Sequence, residues 1–109
     1  MSLYQDYCNE RKHCSIIEYE WGFSTYGFTD KETIYLMDMY IKPEERKGIK
    51  SVRLLQEVEE AGILNGCLRI ITTVSTNTIG SSYSLLCCLK YGFKITGNDG
   101  SMLYLSKEF

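Results

Sequence analysis

The sequence predicts a mixed α/β fold: a mainly antiparallel sheet with one parallel strand-helix-strand crossover and helices packed on it. Three observations carry this. Residues 15–28 alternate at period two, and residues 51–65 switch to helical spacing between two strand-like runs. Gly97-Asn98-Asp99-Gly100 then sits as a turn between two short runs near the C-terminus.

Residues 15–28 read as one strand. Ile17, Tyr19, Trp21 and Phe23 fall on one side, and Glu18, Glu20, Gly22 and Ser24 on the other. Residues 29–32 are polar and turn-like, and residues 33–41 form a second strand. So short a loop admits only an antiparallel pair. Pro43 ends the pattern. In residues 51–65, Val52, Leu55, Val58 and Ala61 recur every three positions and Leu54 widens the stripe. Gln56, Glu57, Glu59 and Glu60 take the wet side, and Asn65-Gly66 marks the stop. Residues 68–76, rich in Ile, Val and Thr, form a buried strand parallel to the second one. Residues 81–91 form a short, serine-capped helix with Leu85, Cys88 and Leu89 on one face. Residues 93–96 and 102–106 close the chain as a hairpin. The expected organisation is a single domain over residues 1–109, with 1–14 as a short N-terminal segment.

Composition excludes several classes. Hydrophobic residues make up 44% and charged residues 24%, a balance that supports a packed core and argues against disorder. Twelve Lys and Arg against fourteen Asp and Glu give a formal charge of −2, which points away from nucleic acid. The apolar runs are far shorter than the ~20 residues that cross a bilayer, so no membrane partner is expected. No basic-then-apolar segment opens the sequence, so no secretory leader is expected. Five cysteines, Cys8, Cys14, Cys67, Cys87 and Cys88, form no CxxC pair. They read as core thiols of a protein in the reducing cytoplasm. His13 beside Cys14 supplies no four-ligand set, so no metal is expected, and His13 is placed on the surface.

The chemistry concentrates in Pro43-Glu44-Glu45-Arg46-Lys47-Gly48-Ile49-Lys50-Ser51, between the second strand and the first helix. Free N–H groups at a helix start, its positive dipole end and adjacent Arg and Lys side chains suit a phosphate. An ordinary basic helix cap has the same composition.

Residues 34–51 resemble the central motif of the GNAT N-acetyltransferases, in which a strand leads into an R/Q-x-x-G-x-G/A loop. Aligned without gaps, Arg46 takes the first motif position, Ile49 the middle glycine and Ser51 the last small residue. Leu54 and Leu55 match the paired leucines of the following helix. The Ile34-Tyr35-Leu36-Met37-Asp38 strand is similar to that of the diamine and polyamine branch, and residues 84–93 resemble the closing helix with its terminal Gly-Phe. The likeness spans residues 15–109. It implies a GNAT-like fold lacking the usual N-terminal strand and helices.

The resemblance further implies an acyl-CoA-dependent N-acyltransferase. Acetyl-CoA would be held by Met39, Tyr40 and Ile41 on the strand and by Arg46, Lys47, Gly48, Ile49, Lys50 and Ser51 in the loop. The acceptor would be a polyamine-like or protein amine. Asp38 would be the catalytic carboxylate and Cys88 the proton donor, with Tyr83 and Tyr91 as alternative phenols and Glu18 and Glu20 on the acceptor side. Three positions depart from the motif: Ile49 for glycine, Cys88 for the tyrosine four residues before Gly92, and Met37 for an acid. They keep a second reading open, a GNAT-fold domain acting through protein contact with weak or no CoA binding. A homodimer is expected to cover the aromatic face of Tyr19, Trp21 and Phe23.

Overall fold

The computed structural model describes residue 3 and residues 14–46, 48–76 and 81–109. Cys8, His13 and Lys47 lie outside the described residues, as do the side chains of Ser81 and Ser82, where a serine cap is expected. Among the described residues six strands form one sheet in the order β1-β2-β3-β4-β6-β5. They are β1 (Ser15–Tyr19), β2 (Gly22–Asp30), β3 (Thr33–Ile41), β4 (Arg69–Ser75), β5 (Lys94–Asn98) and β6 (Met102–Glu108). Helix α1 (Lys50–Leu64) connects β3 to β4, and α2 (Ser81–Tyr91) connects β4 to β5. Only β3 and β4 pair in parallel; the other four pairings are antiparallel, as expected for the predicted fold class.

The expected first strand is two. β1 turns back at Glu20-Trp21, pairing Tyr19 with Gly22, and a two-residue turn leaves the period-two pattern unbroken. The glycine that marks the turn stands just after it. A Cβ on Gly22 would run into the carbonyl oxygen of Tyr40 and press on Ile41, so glycine lets β2 approach β3 at this point. Beyond the turn, Tyr19 and Trp21 stack with ring centroids 4.8 Å apart. Arg53 lies over the Tyr19 ring and Lys50 over Trp21, while the Tyr19 hydroxyl donates to Glu57. Two rings of the aromatic face on which a homodimer was expected are therefore packed by the chain's own helix.

The core lies between one face of the sheet and both helices. Ile34, Leu36, Ile70, Val74 and Leu105 from the strands meet Leu55 and Val58 of α1, Cys88 of α2, and Phe93. The buried stripe of α1 is Ser51, Leu54, Leu55, Val58 and Gly62, turned from the predicted one so that Val52 is exposed. Gly62 belongs to it because a Cβ there would collide with Ile34 and the Phe109 ring. Gly66, at φ +79°, ends the helix as predicted, and Cys67 N–H returns to the Gly62 carbonyl at 2.9 Å. On the far side, Glu59 of α1 accepts from the Tyr91 hydroxyl of α2 (2.7 Å) and Lys107 Nζ of β6 (2.5 Å), binding both helices to the sheet. Burial alone would raise the Glu59 carboxyl. The hydrogen bonds from Lys107 and Tyr91 and the Lys107 charge outweigh it and hold the group below its ordinary value.

One feature of β3 sets up everything above the core. Thr25 pairs with Asp38 but Tyr26 pairs with Leu36, so Met37 is an extra residue, a β-bulge. Core-facing positions shift phase across it. Ile34 and Leu36 face the helices below the bulge; Met39 and Ile41 pack inward above it.

Replacing Gly22 by alanine is expected to destabilise the protein by about 1–3 kcal/mol, because backbone rather than a flexible side chain must move. Urea unfolding checks this, and an unchanged midpoint would show that the β2–β3 approach is not tight.

Candidate active site

Parallel pairing of β3 and β4 runs only from Thr33↔Arg69 to Leu36↔Thr72. It stops where the bulge begins, and the strands then part. Thr72 Oγ1 donates to the Leu36 carbonyl at 2.9 Å and closes the apex of the resulting wedge. A cavity of about 520 Å³ fills the gap. β3 lines it from Leu36 to Ile41, β4 from Thr72 to Ser75, and α2 contributes Tyr83, Ser84 and Cys88. Above Leu36, β3 keeps its β2 partner to Ile41↔Gly22 but has no β4 partner. Backbone groups on that side of an interior strand are left to face the wedge.

The wedge gathers Asp38, Met39, Tyr40, Ile41, Arg46, Cys88 and Tyr83 among the predicted residues. Asp38 is exposed and opposite Thr25, whose hydroxyl donates to Asp38 Oδ2 at 3.3 Å. Phe23 and Tyr40, paired across β2 and β3, line the same cavity with ring centroids 6.1 Å apart. Arg46 spans its mouth. Its Nε donates to the Ile41 carbonyl at 2.9 Å, and its guanidinium lies 5.6 Å from the Tyr40 ring and 5.3 Å from the Tyr83 ring. Burial pushes the Tyr83 phenol up, and its hydrogen bond with Cys87 adds to this; a Ser51 hydrogen bond and the Arg46 charge oppose them. Tyr83 thus ties the first turn of α2 to the first turn of α1.

The loop reaches α1 through a 3₁₀ turn, Pro43–Glu45. α1 opens at Ile49 with no side-chain cap and no acidic residue in its first turn. That is the electrostatics of an anion-binding helix start. Ile49 is 80% exposed with φ −96°, a conformation open to any L-residue, so an isoleucine stands in the motif's glycine position without backbone strain. Gly48 is exposed, and a Cβ there would meet nothing. Ser51 is buried beside Tyr83, while Lys50 is held by Glu45 at 2.8 Å.

Glu18, Glu20 and Tyr91 do not line the wedge. Glu18 is exposed in β1 and Glu20 is exposed in the turn; they share no strand face, and neither lines the wedge. The strand ends at Tyr19, which the unbroken alternation hid. Cys88 reaches the cavity wall but is 2% exposed and belongs to the core. Burial, with a smaller contribution from Cys87, pushes its thiol up to about 12. Tyr91 is turned to Glu59 and Lys107, away from the wedge. Thr25 and Thr72 were absent from the reading because neither carries a signal until the register is known. The bulge did leave a trace: apolar positions 34, 36, 39 and 41 are spaced two, three, two. Among the described residues no three His, Cys, Asp or Glu side chains come together as a metal site.

No protein-family model matches this sequence, and no curated protein does. The fold matches solved structures. A PaiA N-acetyltransferase from Thermoplasma acidophilum, solved with coenzyme A, has a TM-score of 0.73 at 26% identity over 82% of this chain and 54% of its own. A GNAT family acetyltransferase from Elizabethkingia anophelis with acetyl-CoA bound also scores 0.73, at 17% identity over 98% of this chain and 82% of its own. A putative GNAT acetyltransferase from Desulfovibrio desulfuricans scores 0.76, at 15% identity over 94% and 74%. This chain therefore spans about half the length of the Thermoplasma protein. Its fold is that of the GNAT acetyltransferases.

With a thiol reagent at pH 8, half-buried Cys87 is expected to be alkylated well before Cys88 in the native protein, read by peptide mass spectrometry. Equal rates would reopen Cys88 as an accessible acid.

Proposed function

We propose that this chain is an acetyl-CoA-dependent N-acetyltransferase that acts on a primary amine. The observation that carries this is the wedge, with its unpaired β3 backbone running toward Arg46 and the uncapped start of α1. Met39 to Ile41 would hydrogen-bond the pantetheine arm. Arg46 and the N–H groups leading into α1, from Gly48 to Ser51, would hold the pyrophosphate.

The acceptor side supports a small cationic amine of polyamine type over a protein amino group. Asp38 and the Phe23–Tyr40 ring pair stand together in the wedge, and carboxylate and ring faces both attract an ammonium group. The amine must lose a proton before it attacks. Asp38 takes that proton directly or through water, nitrogen bonds to the thioester carbonyl carbon, and the C–S bond breaks. The departing thiolate takes a proton from the hydroxyl of Tyr83, which lines the cavity and is more exposed than Cys88. The described cysteines are all free thiols, and no helix among the described residues is long and apolar enough to cross a membrane; both fit a cytoplasmic enzyme.

The alternative domain without CoA binding is separated by direct measurement. Acetyl-CoA at about 100 Kd is expected to stabilise the protein by roughly 2.7 kcal/mol, seen as a thermal shift. Arg46→Ala is expected to weaken binding about ten-fold or more, as loss of a charged hydrogen bond does. No shift at millimolar acetyl-CoA would leave the contact-only reading standing.

Asp38→Asn is expected to lower kcat by about 100-fold or more while CoA affinity holds, the usual cost of removing a general base. Steady-state kinetics with a diamine checks it, and unchanged turnover would remove Asp38 from the reaction.

A further inference from the structure

Lys50 opens α1, but its charge is already engaged. Its ammonium lies 2.8 and 2.9 Å from the two carboxylate oxygens of Glu45 in the preceding 3₁₀ turn, and 5.3 Å from the Trp21 ring centroid. Both members of the ion pair are about one-third exposed, at 36% and 35%. The pair stands at a helix start that has no side-chain cap and no acidic residue of its own in the first turn. Glu45 is thus an anion already paired with the cation that opens the helix.

We infer that Glu45 is a resident competitor for the ligand phosphate, and that Lys50 exchanges its carboxylate for phosphate when an acyl-CoA binds. The inference rests on the CoA reading and adds a regulating residue to it. The exposure of the pair makes exchange feasible. A partly solvated ion pair holds its partners weakly, whereas a fully buried one would resist separation. Trp21 keeps the ammonium near the loop while it changes partners, because a ring face attracts a cation without occupying its hydrogen-bond donors. Carboxylate and phosphate then compete for one cation. A ligand without phosphate gains nothing from displacing Glu45, so the contact favours phosphorylated ligands.

Binding of CoA and of unphosphorylated pantetheine to the wild-type protein and to Glu45→Gln, by calorimetry at low and high salt, tests this. Glu45→Gln is expected to tighten CoA about two- to five-fold at low salt, with a smaller gain at high salt and no gain for pantetheine. In a Lys50→Ala background the same change is expected to give no gain. Melting midpoints establish that each variant is folded. Wild-type binding of CoA with no tightening in Glu45→Gln would overturn the inference and leave the CoA reading intact. A gain that persists in Lys50→Ala would also overturn it, showing simple repulsion rather than exchange. Absence of CoA binding in both proteins would remove the CoA reading and this inference together.

Discussion

The extra residue in β3 is the constraint on which the rest of the molecule depends. β3 lies inside the sheet, and an interior strand would ordinarily spend its hydrogen-bonding groups on both neighbours. Met37 breaks that rule on one side only. Pairing with β2 continues past the bulge to Ile41, and pairing with β4 ends at Leu36. A bulge bends its strand and increases local twist, so the parting of β3 from β4 begins at the same residue. The bulge also turns Met39 and Ile41 toward the helices, which gives the freed segment an apolar anchor. A strand with one free side must still be held in place, and Gly22 and the β2 pairing do this from behind.

Charge around the wedge is held by aromatic faces as much as by opposite charge. Arg46 lies between Tyr40 and Tyr83, Lys50 meets Trp21, and Arg53 meets Tyr19. Ring faces orient a cation while leaving its hydrogen-bond donors available. Arg46 uses its Nε on the Ile41 carbonyl. The aromatic side chains of the first hairpin, which composition alone presents as a surface in need of cover, therefore have two uses: Tyr19 and Trp21 close over α1, and Phe23 and Tyr40 line the cavity.

Most of the fold was legible because it follows from periodicity. The α1 stop at Gly66, the parallel crossover and the C-terminal hairpin all rest on local signals that tertiary packing did not override. The division of residues 15–28 into two strands was hidden because a two-residue turn preserves alternation, and the turn glycine was displaced to position 22. The site was legible in part. Asp38, the strand segment to Ile41 and Arg46 come together, since they lie on one strand and its following turn. Glu18 and Glu20 were misplaced by the same hidden turn. Cys88 was set by motif position, and burial decides its chemistry where position cannot. The partners Thr25 and Thr72 belong to β2 and β4, and no single-strand pattern places a hydroxyl against a neighbouring strand.

The three departures from the family motif bear on whether the fold retains a working cleft, and each is accommodated without filling it. Ile49 turns outward into solvent instead of into the helix start. Cys88 withdraws into the core and reaches the cavity only as part of its wall. Met37, where an acid would stand, is the bulged residue itself, so the position serves the backbone rather than the chemistry. A domain that acted only through its outer surface would gain stability by completing the β3–β4 ladder and packing the space with apolar side chains, since interiors close to crystal-like density when nothing prevents it. Here Thr72 stitches the apex and goes no further, and the backbone from Met37 to Ile41 is left without a β4 partner beside a cavity of about 520 Å³. An interior strand kept open in this way favours a ligand that supplies the missing hydrogen bonds. The proposed CoA-binding reading accounts for that open strand, and a reading without a ligand does not.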